Sequence, residues 1–259
     1  MADITAYKPF YSVLILAFFC SLMVAGAAVG LRPLQEANKL QDQKKNILMA
    51  AGLYDSSQSV TELFSDVETK IVDLTSGTFV SPEEISPEEY EQRKAAMTKE
   101  LSNPLAKDAD VAGIRRVEKY SLVYLVKENG TVTQIILPIR GKGLWSTLYG
   151  YIAINEDMTT VSGISFYEHG ETPGLGGEIE NPRWQAGWEG KKIYNQNYEE
   201  SLFVGKKQGE RDKKHYVDGL SGATLTTEGV DDIINFWFGK HGFKPFLSQM
   251  KSNGGNTNG

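Results

Sequence analysis

Tyr120–Lys127 (YSLVYLVK) and Val132–Ile139 (VTQIILPI), parted by Asn129-Gly130, are the stretch from which the fold can be read. Both runs are rich in β-branched and aromatic residues, which fit a pleated, half-buried surface. Asn-Gly tolerates the positive φ of a tight turn, so the pair predicts an antiparallel hairpin. Further runs of strand length follow at Tyr149–Ile154, Val161–Tyr167 and His215–Asp218, with helical patterns before and after them. The expected fold class is therefore α+β, a largely antiparallel sheet flanked by helices. A Rossmann arrangement is not supported: Gly174-Leu175-Gly176-Gly177 lacks the third glycine and the following helix pattern of a dinucleotide fingerprint. Asn129-Gly130-Thr131, which also fits a glycosylation sequon, reads as the turn alone.

Upstream, no charged residue occurs from Phe10 to Leu31, and the run ends at Arg32-Pro33. About 20 apolar residues cross a hydrocarbon core of roughly 30 Å as a helix, so residues 10–32 predict a transmembrane helix behind a short segment, 1–9. A cleaved signal peptide is the rival; its apolar region is typically about 7–15 residues, and Ala25-Gly26-Ala27 offers only a weak cleavage site. Gly26 and Gly30, with Ser21 and Ala25, place small residues at four-residue spacing, as in helices that pack closely. Arg32, Lys39, Lys44 and Lys45 follow the span, whereas Lys8 precedes it, so a local count of positive charges leaves the large domain in the cytoplasm. Pro33-Leu34 leads into a charged helix pattern reaching Leu53, and a second helix is expected over Ser59–Leu74. Ser81-Pro82-Glu83-Glu84 and Ser86-Pro87-Glu88-Glu89 read as two helix starts in tandem. The expected organisation is a helical connector and helical part over 33–110, a ligand-binding domain over 111–248, and a polar tail at 249–259.

Composition narrows the function. The chain has 259 residues, 41% hydrophobic and 23% charged, and its net charge of -6 argues against nucleic acid as a partner. Its single cysteine, Cys20, lies inside the apolar run, which excludes a disulfide framework, a protein-borne iron–sulfur cluster and a thiolate zinc site. His169, His215 and His241 lack ligand spacing, so no metal site is assigned. No residue is assigned a catalytic role.

Two segments carry chemistry. Val217-Asp218-Gly219-Leu220-Ser221-Gly222-Ala223-Thr224-Leu225-Thr226-Thr227 runs into a helix pattern with Val230, Ile233, Ile234 and Trp237 on one face. A helix N-terminus offers unpaired N–H groups and the positive end of the dipole, which suits a phosphate beside a presented hydroxyl. The plainer reading is a helix cap, since Ser and Thr favour such positions. Thr224, Thr226 and Thr227 are chemically identical candidates for the hydroxyl. The second segment, His169-Gly170-Glu171-Thr172-Pro173-Gly174-Leu175-Gly176-Gly177, follows a strand. Its glycines permit close approach to a flat ligand, Thr172 can hydrogen-bond a polar edge, and Leu175 can cover an apolar face; a structural turn is the alternative.

The string Asp218–Thr226 resembles the flavinylation signature of the FMN-binding domain family. The resemblance implies FMN joined through its phosphate to the hydroxyl of Thr224, within a motif formed by Asp218, Ser221, Gly222 and Ala223. A separate flavin transferase would deliver the FMN from FAD. Glu171, Thr172, Gly174, Leu175 and Gly176 resemble the family's loop against the isoalloxazine ring. Trp145, in the similar segment Gly141-Lys142-Gly143-Leu144-Trp145, would stack near the flavin, although an isolated tryptophan is more often a core residue. The order of span, Gly-rich loop and Thr motif is similar to that of the C subunits of sodium-translocating NADH:quinone reductases. The homologous flavin subunit of the Rnf complex is the alternative, and the added length around Ser81–Lys107 favours the former. That similarity implies an electron carrier working with the other subunits of a membrane redox complex, a heterohexamer. It also implies a single-pass protein of the bacterial inner membrane with its domain on the periplasmic side, against the local charge count. Nothing in the chain resembles an NADH site, a quinone pocket or an ion channel. A cofactor-free membrane-anchored scaffold is the reading from a different class.

Overall fold

The computed structural model describes residues 8–253, so segment 1–9 up to residue 7 and the tail from residue 254 lie outside the described residues. The chain divides into two compact units, one ending at Gln43 and one beginning at Lys44. Helix α1, Lys8–Ala50, starts in the first and ends in the second. Its apolar part is long enough to cross a membrane, and Phe10, Leu14, Phe18 and Leu22 are all exposed. The helix does not stop at Pro33 but continues through it. A proline lacks the N–H that would bond the carbonyl four residues back, yet the neighbouring turns carry the ladder on.

The second unit contains α2 (Val60–Leu63), β1 (Val67–Asp73), β2 (Phe79–Val80), α3 (Gln92–Met97), β3 (Ser102–Pro104), β4 (Arg116–Glu118), β5 (Tyr120–Glu128), β6 (Thr131–Lys142), β7 (Thr147–Asn155) and β8 (Val161–Glu168). After these come α4 (Pro182–Ala186), β9 (Phe203–Gly205), β10 (Tyr216–Asp218), α5 (Thr224–Trp237) and α6 (Lys244–Ser252). Six strands form one antiparallel sheet in the order β2-β1-β5-β6-β7-β8. Asn129 (φ 52°) and Gly130 (φ 82°) turn β5 into β6, as the Asn-Gly pair requires. β9 and β10 pair in parallel beside the sheet, and β3 pairs with β4.

Both faces of the sheet are covered. On one, Val123, Leu125, Ile135, Leu137, Ile152 and Ile164 meet Val230, Ile233, Ile234 and Trp237 of α5 and Phe246 and Leu247 of α6. The other face, with Ile71, Leu122, Tyr124, Ile136 and Tyr151, receives Ile47, Leu48, Ala50 and Ala51 from the end of α1 and the turn that follows it. Burying Ile47 and Leu48, at 1% and 0% exposure, is worth about 1.5–3 kcal/mol each. The end of the charged helix pattern is thus part of the domain's core.

Two expectations for this region are corrected. The helix over Ser59–Leu74 is a single turn, α2, after which Val67–Asp73 pairs along its length with β5, from Val67 opposite Val126 to Asp73 opposite Tyr120. Ile71 then faces the α1 side and Val72 the α5 side. Two buried faces satisfy this β-branched segment better than a helix satisfies one stripe. The two Ser-Pro-Glu-Glu motifs form isolated turns, with Glu84 N–H donating to Ser81 O at 2.9 Å and Glu89 N–H to Ser86 O at 3.3 Å. Pro87 pushes Ser86 out of the helical region and lacks the N–H that would bond Glu83 O, so the first start cannot propagate. Helix begins only at Gln92.

Candidate functional site

Helix α5 presses its apolar face on the sheet, which buries Thr226 and Thr227 of its first turn and leaves Leu225 exposed and Thr224 partly exposed. The chain enters it from β10 through Gly219-Leu220-Ser221-Gly222-Ala223. Gly219 N–H donates to Gly205 O at 2.7 Å, and Leu220 N–H to Thr227 Oγ1 at 3.0 Å. Gly222 has φ +78°, a left-handed conformation that most other residues avoid, and it turns the chain into the helix. The N-cap position falls on Ala223, so no side chain caps the helix, and the first turn carries no acidic residue. The plainer reading of the Ser/Thr motif, a side-chain cap, is therefore not what the motif builds. Instead it leaves amides at a helix N-terminus open to an anion.

The three threonines have different fates. Thr226 is 1% exposed, and its hydroxyl donates to Glu171 Oε2 at 2.7 Å. Thr227 is 2% exposed, and its hydroxyl donates to Ala223 O at 3.0 Å while accepting from Leu220. Thr224 is partly exposed, next to exposed Ser221, Gly222 and Leu225. Burial and hydrogen bonding thus separate three side chains that their chemistry does not.

Glu171 joins this turn to two loops. It is buried, at 4% exposure. Oε1 accepts from Trp145 N–H at 2.9 Å and Ser146 N–H at 3.3 Å, while Oε2 takes the Thr226 hydroxyl. Gly170 N–H donates to Ser146 Oγ at 2.6 Å and closes the same junction. Gly176 passes so near that a Cβ there would lie 2.5 Å from Thr226 Oγ1 and 2.9 Å from Glu171 Oε2. Both carboxylate oxygens of Glu171, a residue of the Gly-rich loop, are engaged inside the protein and hold the scaffold of the junction. Burial works to raise the Glu171 pKa, but the hydrogen bonds from Thr226 and from the amides of Trp145, Ser146 and Leu144 outweigh it and hold the carboxyl below its ordinary range.

An ionisation depressed by folding stabilises the fold above the unfolded-state pKa of about 4.3, and that stabilisation is lost as pH falls through the lower folded-state value. Glu171→Gln is expected to lower stability at pH 7 by about 1–3 kcal/mol. It should also flatten the acid side of the stability profile, read from urea midpoints between neutral pH and pH 4. Parallel profiles for the wild type and E171Q would contradict this stabilising role of the Glu171 carboxylate.

Around the junction stand side chains that face solvent. Thr172, Gly174 and Asp218 are exposed, Leu175 is 45% exposed and Trp145 71% exposed. That exposure removes the core reading of Trp145. Leu175 Cδ2 lies 3.2 Å from where a Gly222 Cβ would sit, so the Gly-rich loop abuts the Thr motif. Leu144 and Leu225, both exposed and not singled out by the sequence reading, extend the apolar rim from the other two segments. Only their proximity to motif residues could have flagged them. His169 Nδ1 accepts from Glu171 N–H at 3.1 Å, and its Nε2 lies 3.1 Å from Glu180 Oε1. The arrangement fits a flat ligand bearing an anionic group: an apolar rim, an exposed polar Thr172, and beside them an uncapped helix N-terminus where Thr224 is the one threonine whose hydroxyl is not spent inside the fold, next to exposed Ser221.

Residues 143–239 match the FMN-binding domain family. The chain is 47% identical, over 94% of its length and 93% of the relative's, to a Haemophilus ducreyi protein named as the C subunit of the Na(+)-translocating NADH-quinone reductase. A Pseudomonas aeruginosa protein of the same name is 46% identical over 92% of this chain and 93% of its own. Among solved structures, Shewanella oneidensis NqrC superposes with a TM-score of 0.74 at 33% identity, covering 83% of this chain and 99% of that one. The C subunit of the Na(+)-translocating NADH-quinone reductase from Parabacteroides distasonis gives a TM-score of 0.66 at 29% identity, covering 84% of this chain and 97% of its own.

Proposed function

The chain belongs to the family of C subunits of the Na(+)-translocating NADH-quinone reductase, and we propose that within such a complex it carries FMN as a phosphoester on Thr224 and relays electrons through it. The observation that carries the assignment is the division of labour among the threonines. Thr226 and Thr227 spend their hydroxyls inside the fold, while Thr224 stands at an uncapped helix N-terminus.

Attachment is a phosphoryl transfer. Thr224 Oγ bonds to the flavin-side phosphorus of FAD, the bridging P–O bond breaks, AMP leaves, and the hydroxyl proton passes to a base on the flavin transferase. No nucleophile with a shifted pKa is required of this chain, because the transferase supplies the activation. The resulting diester bears one negative charge, which the α5 N-terminus favours by about 0.3–1 kcal/mol. Bound FMN supplies the one-electron chemistry. The protein contributes a tether at Thr224, an apolar cover from Leu175 and Trp145, and a hydrogen-bonding hydroxyl at Thr172, with Ser221, Gly222 and Asp218 shaping the attachment turn and Gly174 and Gly176 the ring loop.

The apolar part of α1 is read as a retained single span in the bacterial inner membrane, with the flavin domain on the periplasmic side among the other subunits of a heterohexamer. Covalent attachment suits that location, since a carrier outside the cytoplasm is not replenished from the cytosolic FMN pool. The tether and the ring environment are separate interactions, and this gives a test. Thr172→Val and Leu175→Ala are each expected to retain covalent flavin while shifting its absorption bands or midpoint potential. Unchanged spectra, potentials and electron-transfer rates in both variants would remove the loop from the site.

A further inference from the structure

The attachment turn is held by β9, through Gly219 N–H on Gly205 O. Among the described residues β10 pairs with β9 alone, so no second strand steadies the approach to the turn. A side chain from elsewhere in the sequence reaches it instead: Trp184 Nε1–H donates to Asp218 O at 2.7 Å. Trp184 is part of a continuous structure that begins at the ring loop. The 3-10 turn Gly176–Glu180 follows Leu175 directly. Asn181 caps α4 by accepting from Arg183 N–H at 2.9 Å, and Gln185 Nε2 donates back to Ile179 O at 3.0 Å. The indole itself is fixed by Phe166 on β8 at 6.4 Å between ring centroids and, edge-on, by Trp188 at 5.5 Å.

We propose that Trp184 is a positioning residue for flavin attachment: its indole N–H fixes the Asp218 carbonyl and so sets the attachment turn in register with the ring loop. This rests on Thr224 as the acceptor. A tryptophan is suited to the task because its ring is locked by packing while its one donor points outward to a carbonyl. Without the donor, the Asp218 carbonyl has only water, and the turn samples further conformations. A transferase that accepts one conformation then sees a smaller competent fraction, which raises its apparent KM for the chain and leaves kcat unchanged.

The test is Trp184→Phe in the full-length chain, which keeps a ring in the same packing and removes only the donor. With purified flavin transferase and FAD, KM for the chain is expected to rise about three- to tenfold with kcat unchanged. In flavin-free protein, amides of Gly219–Ala223 are expected to exchange faster by a similar factor, while amides of β6 and β7 keep wild-type rates. Wild-type KM and wild-type exchange in W184F overturn the proposal. So does a uniform rise in exchange across the sheet, which marks a merely structural role. Absence of label on Thr224 in the wild type overturns the attachment reading, and the proposal with it; the exchange measurement needs no flavin and tells that failure apart from the others.

Discussion

Thr224→Ala is expected to yield a folded chain with no protein-bound flavin. Thr224 caps nothing, since the N-cap is Ala223, and it is partly exposed, so the substitution should change stability by no more than about 0.5 kcal/mol. Thr224→Ser, which restores a hydroxyl at the same place, should recover the label. Thr226→Val should behave in the opposite way. It leaves Glu171 Oε2 without the hydroxyl that sits 2.7 Å away, at a cost of about 1–3 kcal/mol, yet keeps the flavin. In-gel flavin fluorescence after denaturation and urea midpoints on the wild type and these three variants separate the two effects. Label retained in T224A, or lost from T226V while that variant is folded, would reverse the assignment.

The second large effect concerns compartment. Deleting Met1–Leu31 removes most of the apolar span but leaves the end of α1, whose Ile47 and Leu48 complete the core, so the remaining chain should fold. In a host whose flavin transferase is confined to the periplasm, this truncated chain is expected to carry no flavin when it stays in the cytoplasm. It should be fully labelled on Thr224 when an export signal replaces the span. Efficient labelling without export would contradict the proposed side of the membrane. The structure also weakens the charge count that argued the other way. Lys44 lies over the Phe64 ring at 5.1 Å and Lys45 over Tyr54 at 5.0 Å, so two of the four cations after the span are engaged by the domain itself.

The hairpin at Asn129-Gly130, the strands after it and helix α5 were legible because local pattern and final burial agree there. β1 was not, since Val67–Asp73 takes its conformation from β5, a partner remote in sequence that pairs Val67 with Val126 and Asp73 with Tyr120. The tandem Ser-Pro-Glu-Glu motifs misled for a different reason. Each is a sound helix start alone, but the second proline falls where the first helix would have to continue. In the site, the segments were legible from glycine and threonine spacing, whereas the assignment within them was not. Periodicity cannot say that Glu171 turns inward, or that Thr226 is its donor, because that contact joins two segments across 55 residues. For the same reason the sequence left three threonines equivalent, and burial made them distinct.

Whether Thr224 is the acceptor is tested most directly by peptide mass spectrometry of the denatured wild-type chain from its own membranes. The expected result is a single modified peptide spanning Ser221–Thr227, heavier by FMN minus water, with fragment ions that place the added mass on Thr224. Mass on Thr226 or Thr227, or an unmodified peptide from a preparation that still transfers electrons, would contradict it.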